Sequence, residues 1–517
     1  MKVDGRMSSV KEKGFTLIEL LAVILILGII ALIAIPVVNK ILIESRLNAF
    51  KTTVTTLAKK AEENCQLEGI KNKKITKLYT IVDGKFDHRL KVKGEIPNEG
   101  YILVNNNCEV AYTFYDGKNT ISKNYNEKKQ LLSTEKDAFA YGLEWRSNIS
   151  TLDDTYTRTL DASGIANNNV KVQIGDKKNI NVFDSLDIYK DILPYKDEFK
   201  NEFMLIPKFY ISKTKEVTET EVIWNYAISK HKLDDTYYLP SNFIDEGINN
   251  DKKIELPYIL VGKYEAGSNG LSGDLEMLVS KSGIFPKMSI NINNARTLAT
   301  RYNDIEGVSG YQQYDIHTHD LLTMLFVIEF ATMNSQSIMK GYVDNSSAIK
   351  TGGSDFIDMS SGTLLNDGHN SFNYRGIENL WGNVRCFVEG VNIDQINDTK
   401  NTIYIANNAR HYSSNSITEY YSKLNEYKKI NMSGFVKESG FDQEFPFINL
   451  PIKVDGNSTN GMGDLVYHYP DSGIKILLAS GDWASGDTAG LGNFILNWDS
   501  NYISHVGARI LKTPMKW

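Results

Sequence analysis

The first residue whose position demands chemistry is Glu19. It stands inside the apolar run FTLIELLAVILILGIIALIAIPVV, residues 15–38. An ionised carboxylate there costs several kcal/mol unless it finds a partner. The run is long enough to cross hydrocarbon as a helix, which takes about 20 residues. Before it comes the polar stretch MKVDGRMSSVKEKG, with Lys2, Arg6, Lys11 and Lys13. Basic residues in that position stay on the cytoplasmic side. A secretory signal would lack the acid and would end on small residues. Here the small residue, Gly14, precedes the apolar run.

A second set of candidates lies near the other end. Between Asp482 and His505 the chain is rich in Asn, Ser, Asp, Tyr and Trp, the palette of adaptable binding surfaces. Glycines at 481, 486, 490 and 492 argue against regular structure and predict an irregular loop. Trp483, Asn493, Asn497, Trp498, Asp499, Asn501 and Tyr502 are expected to form one exposed ligand-binding patch, with Trp483 partly buried. Phe494, Leu496, Val506 and Ile510 are expected to pin its inner side to a core. An ordinary polar loop is the plainer alternative.

Other chemistry is thinly represented. His317 and His319 form a tight pair, but no third metal ligand is placed beside them. Asp482, Asp487 and Asp499 are donors of the calcium-binding type, with nothing in the sequence to converge them. There is no HExxH, phosphate loop or nucleophile elbow, so no enzyme, cofactor or metal site is expected. Cys65, Cys108 and Cys386 are too few for a disulfide-built fold. A Cys65–Cys108 bridge and two separate buried thiols both fit, and Cys386 falls in an apolar run. A net charge of −6 with no basic stripe gives no reason to expect nucleic acid.

The string Lys13 to Ile24, KGFTLIELLAVI, resembles the cleavage and methylation motif of type IV prepilins. The resemblance implies cleavage between Gly14 and Phe15 by a prepilin peptidase and N-methylation of Phe15. It also implies that Glu19 neutralises the new amino terminus of a neighbouring pilin subunit during assembly. Such a chain is a single-pass protein of the cytoplasmic membrane before assembly and part of an extracellular pilus after it.

These residues need elements to hold them. Beyond the membrane, Leu47, Phe50, Val54, Leu57 and Ala61 recur at spacings of three and four, one apolar face of a helix. That helix is expected to end near Gly69. KLYTIV, YILV and EVAYTFY read as strands separated by turn formers. The segment LKVKGEIPNEGYILVNNNCEVAYTFYDGK resembles minor pilins of Gram-positive bacteria. Residues 131–140 read as a boundary. Helices are predicted over 293–303 and 319–336, the second as an apolar core helix.

Four strings in the remainder carry a further resemblance: YGLEWRSNISTLDDTYTRTLDASG, IPKFYISK, YRGIENLWGNVRCFVEGVNI and SGDWASGDTAGLGNFILNWDSNYISHVGARI. Together they resemble the C-type-lectin-like fold of retroelement-diversified variable proteins, phage tail-tip receptor-binding proteins and formylglycine-generating-enzyme relatives. The copper-binding cysteines of the last group have no counterpart after Cys386.

The expected fold class is α+β. It comprises a leader (1–14), a transmembrane assembly helix (15–68), a pilin β domain (69–135) and an independently folding lectin-like head (140–517). The expected role is a minor pilin displaying that head as a pilus-tip adhesin with a diversified loop, for a protein or glycan ligand. The alternatives are a structural pseudopilin that initiates assembly and a surface enzyme.

Overall fold

The computed structural model describes residues 16–70, 76–86, 90, 96–148, 154–357, 360–397, 400–424, 433–440, 450–459, 461–469, 471–497 and 504–515. The chain divides into two compact units, Met1–Leu57 and Ala58–Trp517.

In the first unit, helix α1 begins at Leu17 and runs unbroken past Pro36; it ends at Ile70, inside the second unit. From Leu17 to Ile30 every side chain is exposed. Such a helix, apolar all round, belongs in a membrane or among like helices. Burial begins at Phe50 and recurs at Val54, Leu57, Ala61 and Cys65, the spacing expected of a single stripe.

The second unit opens with a six-stranded antiparallel sheet. Its order is Lys85–Phe86, Lys77–Val82, Glu99–Val104, Val110–Tyr115, Asn119–Lys123 and Leu131–Thr134. Its first hairpin turns through Asp83 and Gly84, both at positive φ (50° and 64°), as a tight two-residue turn requires. A disulfide joins Cys65 of the helix to Cys108 in the turn between Glu99–Val104 and Val110–Tyr115, which resolves the cysteine alternatives. Leu131–Thr134 pairs with Asn119–Lys123, so the first part of the expected boundary is strand, and the break falls at 135–139.

Beyond it lie several small sheets with two short helices, an α+β arrangement. One five-stranded sheet brings Ala140–Asn148 and Asp154–Leu160 beside Glu221–Ser229 and Tyr210–Val217. Another places Ile510–Lys512 between Tyr258–Gly262 and Tyr311–Gln313. An eight-stranded sheet is built around the long strand Arg385–Asn397 with Gly473–Ser480 and Gly490–Asn497. Helix α2 spans Ile292–Thr300. Helix α3 spans Ile316–Phe330, with all its residues buried. It stops earlier than the apolar pattern suggests, because Ala331 turns left-handed at φ 51°.

The head has one buried cluster wholly its own, around Trp145, Trp224, Phe326 and Trp381, and a second that it shares with the first sheet. Leu78, Tyr101, Leu103 and Ala111 of the first sheet join Leu193, Phe203, Leu205 and Tyr258 in one buried cluster. Buried polar contacts reinforce it. Lys208 pairs with Glu99 and, at 2.6 Å, with Glu255. Lys230 pairs with Asp187 at 2.8 Å and Asp191 at 2.6 Å, and reaches Ser122 of the first sheet at 3.4 Å. Asn124 donates to the carbonyl of Lys190 at 2.6 Å, and Lys190 pairs with Glu127 at 2.6 Å. The head thus has a core of its own and, beside it, a second cluster to which the first sheet contributes.

Candidate assembly and binding sites

Glu19 lies in the first turn of α1. One carboxylate oxygen accepts from the Thr16 amide at 2.8 Å and from its hydroxyl at 2.9 Å, while the Glu19 amide donates to the Thr16 hydroxyl at 3.3 Å. This is a reciprocal capping box, which satisfies helix-end amides that have no partner in the turn before. Its signal, Thr16-x-x-Glu19, stands in the sequence, and a view of Glu19 only as a charge in lipid overlooks it. A carboxylate held at a helix N-terminus also sits at the favourable end of the helix dipole. Gly14 and Phe15 lie outside the described residues.

The second candidate region differs from the expectation. Gly490–Asn497 is a strand, not a loop, pairing antiparallel with Gly473–Ser480 and parallel with Leu465–His468. An interior strand of a sheet covered on both faces has no outward side. Asn493 is 1% exposed and Asn497 3%, so neither belongs to a surface patch. Asn493 instead accepts from the Arg385 guanidinium and donates to the Thr488 carbonyl at 2.7 Å. The glycines here are packing residues. A Cβ on Gly490 would come within 2.1 Å of the Asp464 carboxyl, and one on Gly481 within 2.7 Å of the Ala489 Cβ. Phe494, Leu496, Val506 and Ile510 are buried as expected. Trp498, Asp499, Asn501 and Tyr502 lie outside the described residues.

What remains accessible is the turn 481–489 and its neighbours. Trp483 is partly buried. Its amide donates to the Asn383 carbonyl at 3.1 Å, and its carbonyl accepts from Asn345 at 2.7 Å. Its ring meets His505 edge-on, with centroids 6.0 Å apart. Beneath them Arg385 bonds Asp482 at 3.1 Å and the Ser485 hydroxyl at 3.2 Å. Burial depresses the Arg385 pKa, opposed by Asp482 and by the nearby Tyr469. Burial also lowers His505, against the pull of Asp482. Tyr467 and Tyr469 form an edge-to-face pair at 5.1 Å, each about two-fifths exposed. Partly exposed Trp, Tyr and His around a buried ion pair can stack on a ligand while their positions stay fixed. Asp482 is committed to Arg385, and Asp487 lies 3.9 Å from Lys340; Asp499 lies outside the described residues.

His317 and His319 are buried and turned to different carbonyls, those of Ala406 at 2.9 Å and Leu491 at 2.7 Å. Burial pulls His319 down to about 4, so it is a neutral core residue. Cys386 is partly buried, and burial pushes its thiol up to about 12, which keeps it protonated and inert.

Residues 10–35 match the family described as the prokaryotic N-terminal methylation motif. No curated protein matches the chain. With a long, exposed apolar helix behind that motif, the chain has the N-terminus of a type IV pilin-like or pseudopilin protein. Such an N-terminus implies processing by a prepilin peptidase, membrane anchoring, and assembly with other pilins into a surface pilus.

Proposed function

We propose that this chain is a minor type IV pilin whose body carries a C-type-lectin-like, ligand-binding head, and that it acts as an adhesin at or near a pilus tip. The observation that carries the proposal is a methylation motif attached to a β-rich unit of 58–517. A head so large would crowd helical neighbours if it occupied every position of a filament, which favours sparse or terminal placement. Before assembly the chain spans the cytoplasmic membrane once, through α1. The binding face centres on Trp483 with His505, Tyr467 and Tyr469. The neighbouring Trp498, Asp499, Asn501 and Tyr502 complete it on the sequence argument of a diversified recognition loop. Its role is binding a protein or glycan, not catalysis, since the accessible groups are stacking and hydrogen-bonding ones. Asn493 and Asn497 support that face from inside.

The test is attachment of piliated cells to host or bacterial surfaces. The triple change Trp483→Ala, Tyr467→Ala, Tyr469→Ala should abolish attachment while pilus number and the melting temperature of the protein stay nearly unchanged. Full attachment by that variant would refute the adhesin reading and leave the assembly role.

A further inference from the structure

Glu99 and Lys208 meet at the joint between the first sheet and the head. Glu99 opens the strand Glu99–Val104. Lys208 stands 109 residues later, between Glu202–Pro207 and Tyr210–Val217. Their side chains are 6% and 9% exposed. Glu99 Oε1 meets Lys208 Nζ, while Glu99 Oε2 is buried with no hydrogen-bond partner. A bare carboxylate oxygen at that depth is costly. Burial raises the Glu99 pKa against the pull of Lys208, which favours the neutral acid.

The surroundings of Lys208 suit a reaction. Burial works against its ammonium, and Glu99 and Glu255 outweigh it, so its pKa stays raised. A free amine therefore arises only when a neighbour takes a proton. Glu255 Oε2 lies 2.6 Å from Nζ, and its side chain is 44% exposed, which opens a route for protons to solvent. The rings of Tyr115 and Tyr210 lie 4.7 and 5.9 Å from Nζ and shield it from water. Beside them is a cavity of about 50 Å³ lined by Glu99, Lys208, Tyr115, Tyr210 and His231. A water needs about 10–15 Å³, so a released one has room there. His231 Nε2 is buried without a partner and is available to it.

We propose that Lys208 and Glu99 condense into an isopeptide bond that staples the first sheet to the head, with Glu255 moving the protons. Glu255 takes one proton from the Lys208 ammonium. The free amine attacks the carboxyl carbon of neutral Glu99, and the C–N bond forms. Glu255 passes its proton to the departing hydroxyl, the C–O bond breaks, and water leaves into the cavity. The second amine proton goes to Glu255 and from there to solvent. No oxidant or cofactor is consumed. The product exchanges a buried ammonium and a surplus oxygen for a neutral amide, which removes their desolvation cost. The bond ties the sheet next to the membrane helix to the head, so tension along the chain cannot part them, whatever the head binds.

Mass analysis of the full-length protein in detergent, after reduction of the Cys65–Cys108 disulfide, provides the test. The chain should weigh about 18 Da less than the sum of its residues, one water. Trypsin should release GEIPNEGYILVNNNCEVAYTFYDGK joined to NEFMLIPKFYISK, through Glu99 and Lys208. Lys208→Met and Glu99→Ala should each restore the full mass and melt roughly 5 °C lower, because a long closed loop is opened. If either fails to fold, Glu255→Gln serves instead: its side chain reaches solvent, and it should slow condensation about a hundredfold, read as the uncrosslinked fraction against time after synthesis. Full mass in the wild-type protein would overturn the bond and leave an ion pair. A cross-link mapped to other residues, such as Lys230 with Asp191, would overturn it too. Condensation of Glu255→Gln at the wild-type rate would overturn the role of Glu255.

Discussion

Neither the stretch Leu17–Ile30 of α1 nor α3, whose Asp320 and Glu329 are paired inside the protein with Lys213 and Arg375, presents a polar face to water, and their surroundings are opposite. From Leu17 to Ile30 no residue of α1 is covered by the protein, while every residue of α3 is buried. A helix without a polar face must leave water, and the comparison shows two ways to do it. One uses lipid and neighbouring subunits, the other the chain's own sheets. The difference is written in what flanks them. α1 is preceded by basic residues and capped by Thr16 and Glu19. α3 is short, capped by Asp315 through the Thr318 amide, and ended by a left-handed Ala331.

The sharpest contrast concerns processing. Gly14→Val should leave the leader attached and remove the protein from surface filaments entirely, with no change in the melting of the body; mass analysis of sheared pili reads this. Assembled chains that still begin at Met1 would break the reading of α1 as a pilin helix.

Next comes burial itself. Leu325→Asn places an amide in a fully buried helix face and should cost about 3–5 kcal/mol, seen as a lower denaturant midpoint in detergent. Leu25→Asn, on the exposed stretch of α1, should leave that midpoint unmoved. Equal losses in both would mean that α1 is covered by its own chain.

A truncation extends the comparison to sheets. A fragment from about 140 to 517 would strip Leu78, Tyr101, Leu103 and Ala111 from the cluster that also holds Leu193, Phe203, Leu205 and Tyr258. It should aggregate or melt non-cooperatively, whereas a fragment starting at about 58 should melt in one transition. A stable, monomeric 140–517 fragment would show that the shared core is dispensable.

Glu19→Ala should permit insertion and cleavage but reduce filament incorporation about tenfold, with unchanged melting of the body. Normal incorporation would limit Glu19 to capping its own helix.

The smallest effect is acid sensitivity. Burial holds both His231 and His319 at about 4, below the 6.5 of an unfolded chain. Between those values the unfolded chain binds more protons, so stability is full above pH 6.5 and is lost as pH falls towards 4. Each histidine contributes up to about 1.4 kcal/mol per pH unit. His231 Nε2 has no partner and its ring lies edge-on to Tyr115 at 6.2 Å, so His231→Phe should fold and flatten the slope.

By itself the sequence determined the parts whose physics is local. The apolar run with its acid, the basic leader, the helix stripe and the strands around Asp83-Gly84 all depend on neighbours a few residues away. So do α2 and α3, and the partial burial of Trp483. The tertiary structure decided whatever depends on distant partners. Asn493 and Asn497 carry surface-type side chains, yet a strand at 465–468 and another at 473–480 enclose theirs, and Arg385 takes up the amide of Asn493. The glycines of that stretch suggest looseness in the sequence, but two of them are required by atoms of Asp464 and Ala489. The joint between first sheet and head rests on Lys208 with Glu99, Lys190 with Glu127 and Lys230 with Ser122. A linear pattern reports which face a residue prefers; only the packed chain fixes which charges and oxygens arrive on the other side of it.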